Sequence, residues 1–192
     1  IEVVSKLTVM VIFMCHIFSA LRVTKDIAHR DSLTNIFNRN YFFNELTVQS
    51  ASAKKTPYCV MIMDIDHFKK VNDTWGHPAG NFALRSVAEI LKGCLRSNDI
   101  LGRVGGDEYI IMLECEEADF GEKFRERVKM ACKLFNEKSG KPFLVEISLG
   151  IAEFRPNIST DIQQVISLAD QQLYEAKKHR KKSVSRANNE GA

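Results

Sequence analysis

Tyr58-Cys59-Val60-Met61-Ile62-Met63-Asp64 is the stretch on which the reading of the fold turns. A short, nearly continuous apolar run ending in an acid reads as a central strand covered on both faces, and the C-terminal end of such a strand is where chemistry is to be sought. Further along stand Ile100-Leu101-Gly102-Arg103-Val104, the pair Gly105-Gly106, and then Asp107-Glu108-Tyr109-Ile110-Ile111-Met112-Leu113. Two β-prone runs separated by two glycines predict a hairpin, with the glycines supplying the positive φ that a tight turn needs.

Outward from these strands the pattern alternates. Upstream, Thr34 or Asn38 can cap a helix carrying Tyr41, Phe42, Leu46 and Val48, which the polar patch QSASAKKTP closes. Between strand and hairpin, Gly76, Pro78 and Gly80 interrupt the chain before a helical pattern through Leu84, Val87, Ala88, Ile90, Leu91 and Leu95. After the hairpin the sequence predicts a helix over 118–135, a strand over 143–152 and a last helix over 160–178 with Asp161 near its start. The order αβαββαβα predicts an α/β (α+β) sandwich, a mostly antiparallel central sheet flanked by helices.

A chain of 192 residues with 45% hydrophobic residues can build one sizeable core, so one catalytic domain plus an extension is expected. A net charge of +3 with 27% charged residues of mixed sign, and no basic cleft with interleaved aromatics, argues against a nucleic-acid partner. Cys15, Cys59, Cys94, Cys115 and Cys132 are scattered without a CxxC pair, as expected of reduced, mostly buried thiols.

Residues 1–25 form an extension. Ile1 in place of an initiator Met suggests a piece of a longer protein, with a sensory domain expected upstream. LTVMVIFMCHIFSAL, residues 7–21, is almost uncharged but shorter than the roughly 20 residues of a spanning helix. Leu7, Met14, Leu21 and Ala28 are spaced by sevens with Val11 and Phe18 beside them, as on a dimerising seam. A helical stalk and the end of a membrane span both remain open; a cleaved signal peptide does not fit. The expected location is a cytoplasmic domain, free or tethered to the inner face of the membrane. Residues 183–192 are a polar tail.

Asp64 and Asp66 at a strand end, and Asp107 and Glu108 at a hairpin turn, are costly to bring near a core unless something cationic compensates them. A hard divalent cation with oxygen ligands is the simplest compensation; the bland alternative, that the acids cap helices or decorate turns, suits Asp66 best.

Asp31-Ser32-Leu33-Thr34, the run MDIDHFKKVNDTWGHPAG, the signature Gly105-Gly106-Asp107-Glu108-Tyr109, EISLGIA and ADQQLYEAKK resemble, in order over residues 26–182, the successive motifs of the GGDEF family of diguanylate cyclases. The resemblance implies a polymerase-palm-like fold and condensation of two GTP into cyclic di-GMP and two pyrophosphates. It implies two metal ions per site, Mg2+ or Mn2+, and a homodimer in which each domain is a half-site. Carried over by position, Asp64, Asp107 and the carbonyl of Ile65 resemble metal ligands, and Glu108 a group assisting proton removal. Phe68 and Lys69 resemble the turn that holds the triphosphate, Asn72 and His77 base and sugar contacts, and Lys177 a lysine reaching the terminal phosphates. Arg96 and Asp99 match an Arg-x-x-Asp product-inhibition motif that binds cyclic di-GMP.

Three departures stand out. Tyr109 replaces a phenylalanine, tolerable if its hydroxyl finds a partner. Arg180-Lys181-Lys182 replaces glycine-arginine-asparagine, so Lys181 stands where an arginine would grip phosphate, and within the basic run 177–182 only Lys177 and Lys181 are expected to act, the rest reading as a solvated helix end. Asn81 replaces the aspartate that reads guanine, and an asparagine amide also complements adenine. ATP as a second substrate, giving a mixed product, is therefore one alternative; a non-catalytic, nucleotide-binding signalling domain is another.

Overall fold

The computed structural model describes residues 10–17, 28–51, 57–115, 119–155 and 161–190, with side chains in the last stretch through Arg180. Residues 10–17 are helical (α1). Then follow β1 Phe37–Asn38, α2 Arg39–Ala51, β2 Tyr58–Ile65, α3 Phe68–Cys94, β3 Ile100–Arg103, β4 Glu108–Glu114, α4 Phe120–Ser139, β5 Ile147–Phe154 and α5 Ile162–Glu190. The five strands run β1-β3-β4-β2-β5, antiparallel throughout except for the parallel β1–β3 pair. The sandwich expected from the sequence is therefore present, with the two-residue β1 as an addition.

The central position of β2 follows from its composition. Cys59, Met61, Met63 and Ile65 face the core beneath α3 and α4, whereas Tyr58, Val60 and Ile62 face the one beneath α2 and α5. Burial on both faces is why no polar residue interrupts the run before Asp64. The cap of α2 is Asn38, whose Oδ1 accepts from the Tyr41 N–H at 3.0 Å. Thr34 instead turns toward Asp31, donating through N–H and Oγ1 at 2.9 and 2.6 Å. Phe42 and Leu46 are buried as expected, but Val48 is 55% exposed, because two residues beyond Leu46 on a helix is the opposite face.

Three other expectations are corrected. α3 starts at Phe68, ahead of the glycines, and bends at Gly76, whose φ of 78° leaves the helical region next to Pro78. Gly105 and Gly106 do not adopt positive φ. The hairpin closes through the Val104 N–H on the Glu108 carbonyl at 3.0 Å around a wider loop, so the turn type that demands positive φ is not used. Gly105 serves space instead, since a Cβ there would fall 2.4 Å from Oε2 of Glu108. Finally, α5 continues past residue 178 to Glu190, because Arg180, unlike glycine, does not favour a helix stop.

α5 lies close on β5 where Gly150 has no side chain; a Cβ would stand 1.9 Å from the Ala169 carbonyl oxygen. On the open edge of β5, Gln172 Oε1 accepts from the Ile151 N–H at 3.2 Å and an Arg125 Nη1 donates to the Leu149 carbonyl at 2.9 Å. All five cysteines are free and only Cys15 is exposed.

Candidate active site

The site gathers at one end of the sheet. Asp64 stands opposite Glu108 of β4 on one side and Ser148 of β5 on the other. The Ile65 N–H donates to the Asp107 carbonyl at 3.3 Å, so the strand end and the hairpin turn are directly joined. The Glu108 side chain folds over Gly105. Tyr109, fully buried, donates its hydroxyl to the Leu84 carbonyl at 2.8 Å, which supplies the partner its extra oxygen needs and ties β4 to α3.

Asp64 is nearly buried, with 13% of its side chain exposed, and Lys177 of α5 reaches its Oδ2 at 2.7 Å. Burial pushes the Asp64 carboxyl above the usual range; the bond from Lys177 opposes this, and the charges of Asp107 and Asp66 add to the rise. The carboxylates of Asp64 and Asp107 and the carbonyl of Ile65 are oxygen donors of the hard kind, and burial, with the neighbouring charges of Asp107 and Asp66, disfavours a bare Asp64 carboxylate. Both observations fit a divalent cation. Among the described residues no three acidic, histidine or cysteine side chains converge.

Phe68 and Lys69, expected in the turn that holds the triphosphate, form the first turn of α3. The preceding His67 is left-handed (φ 57°, ψ 22°) and makes no side-chain cap, so the N–H groups of that turn lie open toward an anion. Along α3, Asn72 packs against Gly80, where a Cβ would come 2.0 Å from its Oδ1; His77 and the adjacent Asn81 are exposed. Arg96 and Asp99 close their own loop, the Arg96 N–H donating to Asp99 Oδ2 at 2.7 Å, while the Arg96 guanidinium lies 5.9 Å from the Phe120 ring. The side chain of Lys181 lies outside the described residues, as do Leu7, Phe18 and Leu21 of the stalk pattern. In α1, Met10, Val11, Ile12, Phe13 and Met14 are all more than half exposed, so its apolar surface runs round the helix rather than along one stripe. No helix among the described residues is long and apolar enough to cross a membrane.

Two arginines were not anticipated. Arg103 donates to the Gly106 carbonyl at 2.6 Å and to Asp31 at 3.0 Å, fastening the turn that bears Asp107 to the Asp31-Ser32-Leu33-Thr34 segment. Arg180 bridges Asp66 and Glu146. The signal for Arg103 lay in its place beside Gly105-Gly106, and for Arg180 in its replacing a glycine.

The family model described as "Diguanylate cyclase, GGDEF domain" matches residues 28–183. A relative from Escherichia coli K12, "Probable diguanylate cyclase DgcT", is 58% identical over 180 residues, covering 92% of this chain and 40% of its own. "Diguanylate cyclase A" of Treponema denticola is 34% identical over 168 residues, covering 83% and 44%. The chain thus spans less than half the length of these relatives. Among solved structures, the coiled coil and GGDEF domain of DgcB from Caulobacter crescentus in complex with c-di-GMP superposes with a TM-score of 0.80 at 28% identity, over 93% of this chain and 96% of that one. Diguanylate cyclase SiaD of Pseudomonas aeruginosa, in complex with its activator SiaC, gives 0.74 at 28% identity, over 92% and 68%.

Proposed function

The chain belongs to the GGDEF diguanylate cyclase family, and from that premise we propose that it condenses two GTP into cyclic di-GMP, releasing two pyrophosphates. The observation that carries the reading is the meeting of Asp64 with the Asp107 turn at the sheet end, under Lys177 and beside an open helix N-terminus. The first-turn N–H groups of Phe68 and Lys69, with the ammonium groups of Lys69, Lys177 and Lys181, hold the triphosphate. Asn72, Asn81 and His77 hold base and sugar, and Glu108 receives the 3′-hydroxyl proton. Asp64, Asp107 and the Ile65 carbonyl would hold Mg2+ or Mn2+, two per site, which polarises the α-phosphate and acidifies the attacking hydroxyl.

Each domain, residues 26–182, is a half-site, so catalysis needs two copies facing each other with antiparallel nucleotides. Residues 1–25 bring them together under an upstream domain, the polar residues 183–190 continue α5 beyond the half-site, and Arg96 with Asp99 binds product. Catalysis belongs in the cytoplasm, where nucleoside triphosphates are. The relatives' names favour guanine over the mixed guanine–adenine product, and retention of Asp64, Asp107 and Glu108 speaks against binding alone. Incubating the dimeric protein with GTP and magnesium and identifying the product by mass tests the reading. Cyclic di-GMP is expected, and its absence from a dimeric, metal-supplied sample overturns the proposal.

A further inference from the structure

Asp64 near the end of β2 and Asp66 in the turn directly after it are both reached by cations of α5. Lys177 and Arg180 are three apart on α5, neighbours on one helical face. Lys177 bonds Asp64, and Arg180 bonds Asp66. Arg180 also bonds Glu146, whose backbone carbonyl accepts the Asp66 N–H at 2.9 Å, and Ser148 donates its hydroxyl to the other oxygen of Asp66 at 2.6 Å. Three of these bonds end on residue 66, directly after the Ile65 carbonyl.

A solvated ion pair would contribute little. This one is different in kind, because the Asp66 side chain is only 7% exposed and Arg180 only 30%. Removing the guanidinium leaves a nearly buried carboxylate with Ser148 as its remaining side-chain donor, which forces the loop to move or to take up water.

We propose that Arg180 is a positioning residue: by gripping Asp66 and Glu146 it fixes the Asp64–Asp66 end of β2, and with it the Ile65 carbonyl and the Asp64 carboxylate, in the arrangement that receives the metal. It touches neither substrate nor metal. The kinetic part of this inference rests on the cyclase reading; the structural part does not.

The decisive measurement is amide exchange by NMR on the metal-free, nucleotide-free protein. In Arg180→Gln the Asp66 amide exchanges about tenfold faster or more, while the core amide of Val60 keeps its wild-type rate; Arg180→Lys recovers part of the protection. In the kinetic arm, Arg180→Gln raises the Mn2+ concentration for half-maximal rate about tenfold and lowers kcat, leaving KM for GTP unchanged. Combining Arg180→Gln with Asp66→Asn adds little to either single change, because both break the same contact. Unchanged exchange at Asp66 in Arg180→Gln overturns the proposal, as does a raised KM for GTP at unaltered Mn2+ requirement, which would make Arg180 a phosphate contact. A wild-type protein that makes no cyclic dinucleotide overturns the function instead, and the exchange arm still decides the role of Arg180.

Discussion

Asp31 and Asp64 are both largely sunk below the surface, yet their surroundings pull them in opposite directions. For each, burial is the largest influence and raises the carboxyl. At Asp31 the two bonds from Thr34 and the one from Arg103 outweigh it, so the group ends below the usual carboxylate range. At Asp64 the bond from Lys177 is offset by the charges of Asp107 and Asp66, and the group ends above it. A carboxylate saturated with donors is a fastening. One that is buried beside like charge and given a single donor is open to a cation.

The comparison is broken most directly at the ligand. Asp64→Asn should abolish cyclic dinucleotide formation while leaving thermal stability equal to wild type or higher, since the change removes repulsion. Product assays and melting curves on the same preparation decide it, and a variant that loses both activity and fold would make Asp64 a fastening too. The converse change, Asp31→Asn, should cost about 1.5–3 kcal/mol of stability, as expected for charge-assisted hydrogen bonds. Its sign with pH is fixed. A folded-state pKa below the unfolded value, about 3.9, gives stability that is present above that value and lost as pH falls through the folded one. Denaturation curves of wild type and Asp31→Asn should therefore differ at neutral pH and converge in acid.

Two smaller effects sharpen the contrast. Asp99 carries one such bond, its carboxylate accepting from the Arg96 N–H. If Arg96 and Asp99 bind product, Arg96→Ala should remove the late slowing of progress curves without changing the initial rate; superimposable curves would reduce the pair to a loop closure. Asn81→Asp adds a carboxylate on the exposed side of α3 and should raise the preference for GTP over ATP by about tenfold, the equivalent of one hydrogen bond. No change in a two-substrate competition would remove Asn81 from base reading.

What could be read from the sequence follows from how local each feature is. The apolar run of β2 carries its own explanation, because burial on both faces leaves no other composition, and Asp64 at its end was legible for the same reason. The open first turn of α3 was partly hidden: Gly76 and Pro78 suggested that the helix began later, although a helix can bend through such residues and continue. The role of the Gly105-Gly106 pair was misread because backbone freedom and side-chain space both select glycine, and only the position of the Glu108 carboxylate tells them apart. For Arg180 and Arg103 the sequence marked the positions, in place of a glycine and beside Gly105-Gly106, but not the acids they would meet. Their partners, Asp66 and Asp31, lie 114 and 72 residues away, and no local pattern reports such a pairing.

The treatment of the open edge of β5 has a consequence for how copies of this chain can meet. Gln172 and Arg125 occupy backbone groups of Ile151 and Leu149 that another chain's strand would need, and the opposite edge, β1, is only two residues long. Among the described residues both borders of the sheet are thus poor templates for strand addition. Pairing by strand addition would first have to break these bonds, so any contact between two copies falls more readily to faces and helices.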